Sequence, residues 1–323
     1  MKNIAIVCGG NSGEYEVSMA SGRAVYKHID TTKYRPFLVV IKGQNWEYLP
    51  DEGDPVTIDK SDFSFELDGK HITFDGVFNA IHGTPGEDGK LQGYFDLLKI
   101  PTTSCSVDTA SLSFNKFLCN RFIQSFGIQV ARSFSFVKDE IINKDEVLQT
   151  LGLPVFVKPA SSGSSVGVSK VSSPDQFQSA VDKAFHAGSR VLFEEFIDGR
   201  EIACGLLKNK KELLVFPLTE VISHNDFFDF EAKYQGKSKE ITPAELDEEA
   251  EIEIKTLSSF LYRQMDCKGF VRFDYILTKD GLYFLELNSI PGMTEASLLP
   301  QQARAFGLSE KEFFTMVVDN LFT

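Results

Sequence analysis

Long apolar runs, basic tracts, cysteine pairs and the common nucleotide-loop signatures are all missing from this 323-residue chain. The N-terminus, MKNIAIVCGG, carries five apolar residues in a row before two glycines, too few for a signal segment or a membrane-spanning helix. Lys and Arg form no basic tract and the formal net charge is −13, so nucleic acid and anionic membrane surfaces are poor partners. An anionic ligand must then be held by a few well-placed cations and helix N-termini. Cys8, Cys105, Cys119, Cys204 and Cys267 are odd in number, scattered and without a CxxC pair. That argues against zinc and disulfides, and for reduced thiols in the core of a cytoplasmic protein. No internal repeat or low-complexity tail is present.

Among what is present, the stretch Gly269–Met293 reads as two strands and a turn. Val271, Phe273, Tyr275 and Leu277 alternate with Arg272, Asp274 and Ile276, and Tyr283, Leu285 and Leu287 alternate with Phe284, Glu286 and Asn288, the period of a half-buried strand. A three-residue loop, Lys279-Asp280-Gly281, with Gly at the left-handed position, would pair Thr278 with Leu282. Asp274 then faces Glu286 and Arg272 faces Asn288, whereas a two-residue loop would send Glu286 to the other face. Two facing carboxylates repel unless a cation lies between them, and carboxylate with amide oxygens suits Mg²⁺. A solvated sheet face with an incidental Arg–Asp pair is the plainer alternative.

Along the chain, residues 3–8 form a strand leading into Gly9-Gly10-Asn11-Ser12-Gly13-Glu14 and a helix from Glu16. This is the entry to an α/β unit, though not a GxGxxG dinucleotide turn. Glu14 or Glu16 there could simply favour the helix N-terminus. Strands at 36–41 and 76–81 follow, the second opening into His82-Gly83-Thr84-Pro85-Gly86-Glu87-Asp88-Gly89 and a helix over Lys90–Leu98. Ile100-Pro101-Thr102 reads as a linker, Ser111–Phe126 as one helix containing Lys116, Lys144–Leu151 as a short helix and Pro154–Lys158 as a strand. The small loop 160–167 after Lys158 lets backbone N–H groups approach phosphate oxygens, although it has no GK[ST]. A Ser/Gly hairpin tip without function would look the same. A helix over 174–187, strands at Arg190–Phe196, Arg200–Leu207 and Glu212–Leu218, and the aromatic stretch HNDFFDFEAKYQG come next. A helix from Thr242-Pro243 to about Met265 and two more at Gln301–Phe306 and Ser309–Asn320 complete the pattern.

GGNSGEYEVS, HGTPGEDG, VKPASSGSSVG, FFDFEAKY and GFVRFD…LELNSIPGMT…S resemble, in order and spacing, the D-alanine–D-alanine ligase family of the ATP-grasp superfamily. The resemblance spans essentially the whole chain. It implies an α/β (α+β overall) three-domain ATP-grasp fold: a parallel α/β domain at 1–100, then antiparallel-sheet domains at 101–197 and 198–323 that grip ATP. It implies ATP-dependent joining of two D-alanines through an acyl phosphate for peptidoglycan precursors, with two Mg²⁺ (or Mn²⁺) ions and commonly a homodimer. Lys116, Lys158 and Lys233 would hold the phosphates, Glu194, Glu195 and Ile197 the adenine, and Glu201 the ribose. Asp274, Glu286 and Asn288 would bind the metal ions. Arg272 and the Gly292 N–H would be oxyanion donors, with Val17, His82, Ser297 and Leu298 around the amino-acid substrates. Glu14 would take the first ammonium and join Ser164 and Tyr234 in a triad that fastens the small loop. Phe228, where many relatives carry Tyr, and Ser161-Ser162, where charged residues are frequent, depart from the pattern and bear on loop closure. Tyr234 stands where relatives that accept D-lactate tend to differ, so the resemblance implies an amine as second substrate. A nicotinamide oxidoreductase would need GxGxxG, and a non-catalytic relative would have lost a metal ligand or phosphate lysine.

Overall fold

The computed structural model describes residues 1–161, 163, 166–223 and 238–322. Its first sheet contains β1 (Lys2–Gly9), β2 (Tyr34–Lys42), β3 (Asn45–Leu49), β4 (Val56–Thr57) and, beyond the small hairpin of β5 (Phe65–Leu67) and β6 (Lys70–Ile72), β7 (Gly76–Asn79). The order is β4-β3-β2-β1-β7, with β1 parallel to β2 and β7, and β3 and β4 added antiparallel at one edge. Ile4, Ile6 and Cys8 enter one apolar cluster and Ala5 and Val7 another, so both faces of β1 are covered, as a parallel sheet requires. Helix α1 (Tyr15–His28) contributes Met19 and Val25 to the first of these clusters. The stretch read as a linker extends the sheet instead: Val77 N–H donates to Pro101 O and Thr103 N–H to Val77 O.

Helix α2 (Lys90–Leu98) lies where expected, but the single helix expected over 111–126 is two, α3 (Val107–Phe114) and α4 (Lys116–Gln124). Asn115 breaks the run: with φ −92° and ψ 97° it is extended, and its side chain accepts from Leu118 N–H. A capping side chain of this kind contributes about 1 kcal/mol. The break makes Lys116 the first residue of α4, and its N–H donates to Ala160 O at the base of the small loop.

After β8 (Gln129–Val130), the second sheet consists of β9 (Ser133–Val137), β10 (Val155–Pro159), β11 (Ser169–Val171) and β12 (Arg190–Glu195), antiparallel in the order β11-β10-β12-β9. Val155, Val157, Val191 and Phe193 pack under α5 (Lys144–Leu151) and α6 (Phe177–Ala187). Strand alternation therefore turns Phe156, Lys158 and Glu194 to the opposite face, and all three border the main cavity.

The third sheet has β13 (Arg200–Lys208), with β14 (Leu213–Val215) attached, then β15 (Thr219–Ser223), β16 (Ser238–Ile241), β17 (Phe270–Thr278) and β18 (Gly281–Asn288). Its order is β16-β15-β13-β17-β18-β8, antiparallel apart from the β18–β8 edge. Helix α7 (Glu248–Gln264) packs Ile254, Leu261 and Tyr262 against Ile202, Cys204, Phe273 and Tyr275. It starts later than the expected Thr242-Pro243, because Asp247 supplies the cap by accepting from Ala250 N–H at 2.8 Å. Helices α8 (Leu298–Ala305) and α9 (Glu310–Asp319) end the chain, and Phe313, Phe314, Val317 and Val318 of α9 close the core beneath β1.

The β17–β18 turn departs from expectation. Thr278 pairs with Gly281, which makes Lys279-Asp280 a two-residue loop, and Tyr275 pairs with Phe284. The register then shifts by one, so that Asp274 faces Glu286 and Arg272 faces Asn288. Leu285 is the extra residue of a β-bulge. The bulge ends the expected alternation of Tyr283, Leu285 and Leu287, since Leu282, Phe284 and Leu287 are the residues that enter the core.

Candidate active site

A cavity of about 850 Å³ opens between the three sheets. It is bordered by Glu14, Val17, His82, Lys116, Lys158, Glu194, Glu195, Ile197, Glu201, Arg272, Glu286, Asn288, Gly292, Ser297 and Leu298. Asp274, 3% exposed, lies just behind that surface and supports Arg272. Ser164, Lys233 and Tyr234, with Phe228, lie outside the described residues.

On the β17–β18 floor, Arg272 Nε and Nη2 donate to the two oxygens of Asp274, both at 2.7 Å, and Asn288 Nδ2 donates to Asp274 at 2.8 Å. The same amide reaches Glu286 at 3.3 Å, and Lys116 Nζ donates to the other Glu286 oxygen at 3.1 Å. Burial alone would lower the Lys116 and Arg272 pKa values. The facing carboxylates, Glu286 for Lys116 and Asp274 for Arg272, outweigh it and hold both raised, so both cations stay charged. Two carboxylates and an amide on adjacent strands form an oxygen donor set of the kind a hard divalent cation takes together with phosphate oxygens.

On the second sheet, Lys158 is ion-paired with Glu194, which also accepts from Asn120 Nδ2 at 3.0 Å. Asn120 lies one turn beyond Lys116 on α4, so helix spacing brings it to the same wall. Glu195 is held by Arg132, whose backbone N–H and Nε donate at 2.8 and 2.6 Å. Glu195 and Ile197 both border the cavity.

From the first sheet, Gly9 and Gly10 have φ of +95° and +96°, left-handed values that glycine adopts without strain. They turn the chain into Glu14, the residue before α1. Glu14 is 7% exposed and faces the cavity, while Glu16 is the exposed acid of the first helical turn. Gly163 lies close against Glu14: a Cβ on Gly163 would lie 2.1 Å from Glu14 Oε2. His82 Nδ1 is 2.9 Å from Ile290 O, and its Nε2 is 3.1 Å from Ser21 Oγ, which accepts from Met293 N–H. Burial lowers the His82 pKa despite the nearby Glu14 carboxylate, so the ring is neutral. Nδ1 carries the proton donated to Ile290 O, and Nε2 accepts from Ser21. His82 thereby ties the end of the first sheet to the loop after β18.

In that loop, Thr294 N–H donates to Ser297 Oγ at 3.1 Å, and a Cβ on Gly292 would lie 2.6 Å from the same oxygen. Three acids bordering the cavity were not anticipated as site residues: Glu87, Glu240 and Glu220, the last held by Arg200. Glu87 accepts from Gly83 N–H at 2.9 Å, and desolvation, with the Glu14 carboxylate adding to it, pushes its pKa up to about 8. It belongs to the HGTPGEDG loop, so the motif that gave His82 also contained it. Glu240, on β16, gave no signal in the sequence.

A family model described as the D-ala D-ala ligase N-terminus matches residues 3–105, and one described as its C-terminus matches residues 122–321. The D-alanine–D-alanine ligase of Azobacteroides pseudotrichonymphae is 46% identical over 99% of this chain and 100% of its own. A D-Ala:D-Ser ligase from Enterococcus faecalis superposes with a TM-score of 0.87 at 32% identity, covering 99% of each chain. A D-alanine–D-alanine ligase from Bacillus anthracis solved with ATP gives 0.80 at 26% identity, covering 99% of this chain and 97% of that one.

Proposed function

The chain belongs to the D-alanine–D-alanine ligase family, and we propose that its cavity joins two D-alanines with ATP to supply D-alanyl-D-alanine for peptidoglycan precursors. The observation that supports this reading is a single cavity bordered by the cations Lys116, Lys158 and Arg272, the oxygen-bearing side chains of Glu286 and Asn288, and Glu14, His82 and Ser297. The reaction transfers the γ-phosphoryl group of ATP to the carboxylate of the first D-alanine, releasing ADP. The amine of the second attacks the acyl phosphate, and the tetrahedral intermediate expels phosphate as the amine loses its proton. Positioning and charge stabilisation supply most of such catalysis.

Lys116 and Lys158 neutralise the phosphates, joined by Lys233, and the backbone of the 160–167 loop covers them. The backbone of Glu195 to Ile197 and the Glu194 wall take the adenine, and Glu201 takes the ribose. Asp274, Glu286 and Asn288 hold two Mg²⁺ (or Mn²⁺) ions, which supply charge neutralisation to the phosphates when bound. Glu14 binds the ammonium of the first D-alanine and forms the loop-fastening triad with Ser164 and Tyr234. Val17 and His82 shape that subsite, His82 by fixing the loop after β18. Arg272 and Gly292 N–H donate to the developing oxyanion, and Ser297 and Leu298 hold the carboxylate of the second substrate. Divisions near residues 100 and 197 give a first-substrate domain and two nucleotide-gripping domains. We place the reaction in the cytoplasm, where ATP and reduced thiols coexist, and the enzyme as a homodimer. No helix among the described residues is long and apolar enough to cross a membrane.

The test is phosphate release from Mg²⁺-ATP with and without D-alanine, with the product identified by mass. D-alanine-dependent release with dipeptide formed in equal amount is expected. Release without dipeptide, or dependence on another acid, would overturn the assignment.

A further inference from the structure

Glu240 takes no part in the nucleotide, metal or first-substrate assignments, yet it borders the same cavity as Arg272, Ala296, Ser297 and Leu298. It faces Val221 across β15–β16, and Val221 packs with Ala203 and Leu298. That contact seats the β16 edge against the start of α8. Gln301 Nε2 donates to the Glu240 carboxylate at 2.5 Å and to Ala296 O at 2.8 Å. One amide thus clamps Glu240 to the segment that carries Ser297. The neighbouring guanidinium, Arg272, gives both of its bonds to Asp274. Among the described residues, the hydrogen-bond partner of Glu240 is therefore a neutral amide; burial raises its pKa, while Gln301 and the Arg272 guanidinium, itself bonded to Asp274, favour the charged form that borders the cavity.

Resting on the ligase reading, we propose that Glu240 is a specificity residue of the second subsite, where its carboxylate attracts the ammonium of the incoming amino acid. An amino acid carries that charge next to its carboxylate and a hydroxy acid does not, so Glu240 favours an amine as nucleophile. This is discrimination by complementary charge.

The test compares the full-length enzyme with its Glu240→Gln and Glu240→Ala variants. The apparent KM for D-alanine at the second subsite is measured, together with the ratio of dipeptide to depsipeptide formed from D-alanine and excess D-lactate. Glu240→Gln still accepts from Gln301, so the loop stays in place and only the charge is lost. The expected result is a KM raised about tenfold and a ratio lowered by a similar factor, with KM for ATP within twofold of wild type. Wild-type values for both readouts in Glu240→Gln would overturn the proposal. So would a loss confined to Glu240→Ala, which assigns the residue to holding Gln301. A wild-type enzyme that forms no dipeptide would instead remove the ligase reading itself.

Discussion

Asp274 and Glu286 face one another across β17 and β18, and both carboxylates are met by cations, Arg272 at 2.7 Å and Lys116 at 3.1 Å. The facing pair depends on Leu285, whose bulge compensates for the two-residue turn at Lys279-Asp280. Replacing Glu286 with Gln keeps the shape and removes one charged oxygen donor. Turnover should fall roughly 100-fold or more, with a higher Mg²⁺ requirement. Steady-state rates across a Mg²⁺ titration check this, and near-normal activity at low Mg²⁺ would contradict the metal assignment.

Gly163 has no room for a side chain. With a Cβ 2.1 Å from Glu14 Oε2, Gly163→Ala must lift the small loop or displace the carboxylate. A misplacement of about 1 Å can reduce turnover on the order of 100-fold, and kcat should fall by that order while thermal stability stays near wild type. An alanine variant with unchanged kcat would show that this approach is not needed during turnover.

Lys158 and Glu194 form a pair with side chains 11% and 7% exposed. Replacing Lys158 with Met leaves Glu194 with the Asn120 amide and the more distant charge of Lys116, and removing one partner of a buried pair costs about 3–5 kcal/mol. Denaturant unfolding should show a loss of that order together with a raised KM for ATP. Adding Glu194→Leu should recover most of the stability and none of the nucleotide affinity. Recovery of both would remove Lys158 from the nucleotide site.

Glu87 gives a pH signature. Its folded pKa is raised to about 8 from an ordinary 4.5, by burial first and then by Glu14. Between those values the folded chain keeps a proton that the unfolded chain has released, so this group contributes stability at low pH that is lost as pH rises toward 8. Glu87→Gln should remove that slope. Relative to wild type, it should gain about 1.4 kcal/mol or more between pH 5 and pH 8, the worth of one pKa unit. Parallel stability–pH curves for the two proteins would contradict the burial of this carboxyl.

The strands and helices with strong periodicity, such as β1, α2 and α5, were legible because local pattern and burial coincide. Lys158, Asp274 and Glu286 stood out in the sequence as charges within strand patterns, whereas Lys116, read inside one long helix, drew its expected role from the family resemblance alone. What escaped depended on competition between local and distant forces. Asn115 looks like an ordinary helical residue until its side chain caps α4, and the β17–β18 register was recovered for the wrong reason. A three-residue turn and a two-residue turn with a bulge both place Asp274 opposite Glu286, so the expected pairing did not distinguish them. Short strands such as β4 and β8 have too few residues to show a period. Glu240 became visible only when the fold brought β16 beside α8.

The most direct measurement uses D-alanine labelled with ¹⁸O in its carboxylate, with Mg²⁺-ATP, followed by mass analysis of the released phosphate and of the dipeptide. An acyl-phosphate route transfers one carboxylate oxygen to phosphate, so singly labelled phosphate in equal amount to D-alanyl-D-alanine is the predicted result. Unlabelled phosphate, or labelled D-alanine recovered without dipeptide, would contradict it.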